Sequence, residues 1–98
     1  MALAVHVLGE IGSDGSRALM VSIDLDHNYP PCGYALVPLI HINPTGMVIS
    51  PLIQAGAPLF RYNARLKTLQ CFTNLTTEKT IGSDLSAFTE IDAIIFGA

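Results

Sequence analysis

From His27 to Phe60 the chain carries no Asp, Glu, Lys or Arg, and all six of its prolines fall in this stretch, at Pro30, Pro31, Pro38, Pro44, Pro51 and Pro58. An interior proline removes a helix hydrogen bond and clashes with the preceding turn, so prolines at this spacing forbid helix. Central strands also reject proline, because it cannot donate to the ladder. The stretch can therefore hold only short extended pieces, such as 33–37 and 47–49, lying at sheet edges or folded over a core. Its lack of charge leaves apolar atoms facing water wherever it is not covered.

Around this stretch the pattern is that of strands. Leu3, Val5 and Val7 alternate with Ala4 and His6. Leu19, Val21, Ile23 and Leu25 alternate with Met20, Ser22, Asp24 and Asp26, the clearest period-two segment in the chain. Gly9, Gly12, Ser13, Asp14, Gly15 and Ser16 read as a turn-rich loop between those two strands. A hairpin is expected from 59–62 and 66–72 about Asn63-Ala64-Arg65, since Asn tolerates turn geometry. Residues 73–82 read as a polar loop. In the last segment Leu85, Phe88, Ile91 and Ile95 approach helical spacing after Ser83, whereas Ile91, Ala93 and Ile95 also alternate. The expected outcome is a short turn over 83–87 followed by a strand. The whole, residues 1–98, reads as one all-β domain, a small β-sandwich or barrel-like fold with short strands and Pro-rich connections.

Only 13% of the residues are charged, against about 25% in an ordinary soluble domain. Half are hydrophobic and mean hydropathy is +0.46. So little polar cover implies that some surface is covered by a partner. Five Lys and Arg, at Arg17, Arg61, Arg65, Lys67 and Lys79, and a net charge of −3 argue against nucleic acid. The N-terminus lacks the basic region of a signal peptide, and the prolines interrupt any apolar run long enough to span a membrane. No membrane association is expected. Cys32 and Cys71 are expected to be free, buried thiols, and the sequon at Asn74-Leu75-Thr76 carries no meaning without secretion.

No catalytic template fits, and the chain is not expected to be an enzyme. There is no Gly-x-Ser-x-Gly elbow and no phosphate loop, and pairs drawn from the two cysteines with His6, His27 or His41 have no activating context. Asp24-x-Asp26-x-Asn28 copies the opening of a calcium loop, but the sixth and twelfth places hold Tyr29 and Ala35 where Gly and Glu are required. No metal and no cofactor are expected.

Three segments, taken in order, carry a resemblance. They are Asp26-His27-Asn28-Tyr29-Pro30-Pro31-Cys32-Gly33-Tyr34-Ala35-Leu36, then Leu59-Phe60-Arg61-Tyr62-Asn63-Ala64-Arg65-Leu66-Lys67, then Asp84-Leu85-Ser86-Ala87 leading to Phe96-Gly97-Ala98. From about Arg17 to the end the chain resembles small structural proteins of tailed bacteriophages, of the capsid decoration or cement type. It departs from that pattern over 39–57, which is more apolar and richer in proline. The resemblance implies a non-enzymatic virion protein, made in the bacterial host cytoplasm. It would bind the outer surface of the phage head and stabilise it. Its partners would be the major capsid protein and copies of itself, for instance in a trimer. A tail or neck component, or a small sandwich that binds a ligand, are the competing readings. With no Trp and three Tyr, a sugar platform is poorly supplied. The uncharged stretch is the expected docking surface, with Met47, Ile49, Leu52 and Ile53 as its contact residues.

Overall fold

In a computed structural model, which describes residues 3–13 and 15–98, the chain forms seven strands. These are β1 (Ala4–Ser13), β2 (Ser16–Asp24), β3 (Tyr34–Ala35), β4 (Pro44–Ile49), β5 (Leu59–Asn63), β6 (Thr68–Phe72) and β7 (Ile91–Gly97), with a 3-10 turn at Val37–Leu39. They build two antiparallel sheets, β1-β2-β7-β4 and β3-β6-β5. The fold is all-β and two-layered. The sandwich of the sequence reading is the one formed; the sheets do not close into a barrel.

The period-two pattern of β2 places Leu19, Val21 and Ile23 on the inner face, each at most 1% exposed. Register sets Ile95, Ala93 and Ile91 of β7 directly beside them. Met47 and Ile49 of β4 continue the first two of these three rows. The smaller sheet answers with Tyr34, Leu69 and Cys71. Part of the uncharged stretch closes this core rather than lying outside it: Tyr29, Leu36 and Ile42 are at most 3% exposed. Its proline-bearing strand β4 sits at a sheet edge, where Pro44 costs no inner ladder bond.

Three sequence readings need correction. The Gly9–Ser16 segment is not a loop. β1 runs to Ser13 and pairs with β2 down to Ser13↔Ser16, because the backbone ladder and a Glu10–Arg17 ion pair (3.2 Å) hold it extended; Asp14 lies outside the described residues. The β5–β6 return strand starts at Thr68 rather than Leu66, since Asn63 accepts from the backbone N–H groups of Arg65 and Leu66 and holds a four-residue turn ending at Lys67, φ +57°. The last strand starts at Ile91 rather than Phe88, behind a turn in which the Asp84 carboxylate accepts from Ser86.

The thiols are both free, but only Cys71 is buried. Cys32 is exposed at φ +65° in the turn that Gly33 N–H closes onto Pro30 O. Burial pushes the Cys71 thiol up to about 12, so it stays a protonated, unreactive thiol. Alkylation of the native protein should therefore add one group, at Cys32, and alkylation in denaturant two; intact mass distinguishes them. Equal labelling of both in the native state would contradict this burial.

Candidate interaction surface

Because side chains alternate across a strand, the register that buries Leu19, Val21 and Ile95 sends their neighbours to the outer face of the four-stranded sheet. One outer row reads Gly9 (β1), Met20 (β2), Ile94 (β7), Val48 (β4); the next reads Ile11, Ala18, Phe96, Gly46. A bulge between Val7 and Gly9 adds Leu8. Among the described residues most large side chains of this face stand exposed, whereas Ala18 is only 8% exposed. Leu8 is 67% exposed, Ile11 63%, Val48 61%, Phe96 42% and Ile94 38%. A shallow hollow of about 520 Å³ lies between Leu8, Met20, Val48, Pro51 and Ile94.

At one end of the face His6, Ser22, Asp92 and Ser50 form the next row, and at the other end Ser13 and Ser16 follow the Ile11–Ala18 pair. Asp24 follows the His6 row. It accepts the Glu90 backbone N–H at 2.9 Å and faces the His6 ring nitrogen at 3.0 Å. The bond from Glu90, followed by that from His6, holds its carboxyl below the usual carboxylate range despite some opposing desolvation.

A second surface, of mixed apolar and polar lining, adjoins the first at Pro51. It is a groove lined by Leu52, Pro58, Leu59, Phe60 and Leu75 along the β5 edge. Leu75 is 91% exposed and Ile53, next in the chain to Leu52, 98%. Of the four contact residues expected from sequence, Ile53 is thus fully exposed, while Met47, Ile49 and Leu52 are partly buried and pack against the core. The sequence reading missed the outer-face residues Leu8, Ile11, Met20, Ile94 and Phe96. The signal was present: 18–21 and 93–96 are unbroken apolar runs, the mark of strands that turn apolar side chains to both faces.

Asp24 and Asp26, read against a calcium loop above, have other partners. Asp26 accepts the Asn28 N–H and the Tyr34 hydroxyl, the latter at 3.0 Å. His41 and Arg17 both meet Glu10 at the hairpin, at 2.8 and 3.2 Å. Among the described residues no three His, Cys, Asp or Glu side chains group so as to hold a metal ion, and no helix is long and apolar enough to cross a membrane. Comparison with family models, curated proteins and solved structures gives no match to this chain.

Proposed function

We propose that the protein is a non-enzymatic virion component of the capsid decoration type, bound to the outer surface of a phage head. The observation that carries this reading is the exposed apolar side chains on the proline-rich side, where Leu75, 91% exposed, lies in a groove with Leu59 and Leu52, and Ile53, next in the chain to Leu52, is 98% exposed. An apolar groove flanked by exposed side chains on a β scaffold suits protein–protein contact, where side chains already held by the sheet lose little entropy on docking. Many weak contacts on a lattice add up through copy number, so a small domain suffices. The resemblance of its three sequence segments to phage structural proteins supports the head as the partner.

The test is co-sedimentation with undecorated capsids of the phage that encodes the chain. Ile53→Asp combined with Leu75→Asp introduces two charges at positions that pack nothing within the fold, so stability should be unchanged. A charge desolvated in an interface typically costs several kcal/mol, and binding should fall by at least about 100-fold. Capsid binding by the folded double variant at the native level would overturn the assignment of this surface, and failure of the native protein to bind would overturn the function.

A further inference from the structure

The outer face of the four-stranded sheet adjoins the surface assigned to the capsid at Pro51 but includes neither Ile53 nor Leu75, and its residue pattern is self-complementary. We infer that it pairs with the same face of a second copy, about a two-fold axis that lies between the two sheets and runs along the strands. This inference rests on the register alone and stands whether or not the capsid is the partner.

Sheets that pack face to face keep their strands within about 30° of alignment. A two-fold parallel to the strands then reverses the order β1-β2-β7-β4 of the second copy while keeping the rows level. β1 comes over the partner copy's β4, and β2 over its β7. In the row Ile11, Ala18, Phe96, Gly46 this sets large against small at every place. Ile11 falls over Gly46, and Phe96 over Ala18, in both directions. Gly46 has open space where a Cβ would stand, with no atom beyond its two chain neighbours within 4 Å. In the adjacent row Met20 meets Ile94 at the axis, and Val48 meets Gly9, over which Met20 folds its terminal methyl. The Asp92 end obeys the same rule. Ser22 faces Asp92 and His6 faces Ser50, so neither Asp92 is set against its own image or against an apolar row. An axis across the strands would instead press Asp92 onto the Ile11–Phe96 end, stranding a charge against hydrocarbon.

The area lies at the low end for a specific interface. Four strands at 4.8 Å and six residues at 3.3 Å span about 19 by 20 Å, or about 400 Å² in projection before side-chain relief is counted. A specific interface needs at least about 500 Å² of accessible surface per partner. A face of this size predicts association at micromolar rather than nanomolar concentration. Asp24 and Asp92 of both copies gather at one rim, so added salt should tighten the pairing by screening them.

Sedimentation velocity of the isolated protein from 2 to 500 µM tests this. The expected result is a reversible shift from 10.5 kDa to twice that mass, strengthened by salt. Val48→Lys and Leu8→Lys each place a charge on the face at a position that is exposed within one copy. Each should weaken pairing by at least about 30-fold while the circular dichroism spectrum stays native; if one variant misfolds, the other carries the test. Ile53→Lys, outside the face, should pair normally. A native protein that stays monomeric at 500 µM, that forms trimers or larger rings, or that pairs undiminished when Val48→Lys and Leu8→Lys are folded, overturns the inference. So does a monomer whose Val48→Lys variant loses capsid binding, which would give the face to the capsid instead.

Discussion

Ile95→Ala is expected to destabilise the protein by about 3–4 kcal/mol, within the range of Ile→Ala changes at fully buried sites. Ile95 is 0% exposed, lies on the inner face of β7, and is flanked by Leu19 on one side and Met47 on the other. Truncation there removes three carbon atoms from one of the two inner rows that run continuously across β2, β7 and β4. The neighbours cannot collapse into the gap, because each is held by its own ladder. For a domain near 100 residues a loss of that size lowers the melting temperature by roughly 15–20 °C. Thermal unfolding followed by circular dichroism measures it, and a drop of less than about 5 °C would mean that this row is not the centre of the core.

The second large effect comes from a single oxygen. β3 pairs with β6 only at Tyr34↔Leu69 and Ala35↔Thr68, so the ladder on that side of β6 runs out before Cys71. The Tyr29 hydroxyl takes over: it accepts the Cys71 backbone N–H at 3.0 Å and donates to Glu78 at 2.5 Å. Its ring, 0% exposed, meets the Tyr34 ring edge-on at 5.4 Å between centroids. Tyr29→Phe keeps the ring and removes the oxygen, leaving the Cys71 N–H without that acceptor. Such a buried orphan costs about 1–3 kcal/mol, or roughly 5–15 °C here. A pH signature identifies the cause. Burial, then the bond to Glu78, raises the Tyr29 pKa well above its ordinary value near 10, whereas the unfolded chain titrates there. The folded state is thus at full advantage below pH 10 and loses it as pH rises beyond, and Tyr29→Phe should flatten that alkaline loss. An unaltered melting temperature and alkaline slope would show that the hydroxyl carries no such role.

The β class was legible because two signals agreed: alternation in 19–25, and prolines that ruled out helix. The order of strands was not. β7 enters between β2 and β4, and local pattern says nothing about which distant strand lies alongside. The fate of the uncharged stretch was half legible. Its lack of charge marked it as apolar, but composition cannot separate Leu36 and Ile42, which close the core, from Ile53, which stands in solvent. Cys32 was misplaced for a related reason. Cysteine favours burial on average, yet this one occupies a left-handed turn position beside Pro31, and the turn sits outside. The outer sheet face escaped notice because attention to alternation discounts the runs that fail to alternate. Ile94 and Phe96 look like noise in a period-two strand until register shows that Met20, Val48 and Ile11 stand beside them.

The position of β7 also sets how fast the chain can reach this state. Its partners on β2 lie about seventy to eighty residues away in sequence, and the larger sheet has no centre until that distance is closed. Closing it spends loop entropy before any ladder bond rewards it, so folding should fall in the slow, millisecond-to-second regime of non-local β proteins. Throughout that interval β2 and β4 present unpaired edges flanked by apolar side chains, the template for pairing with the wrong chain. Dilute, cool refolding should therefore recover more protein than rapid refolding at high concentration.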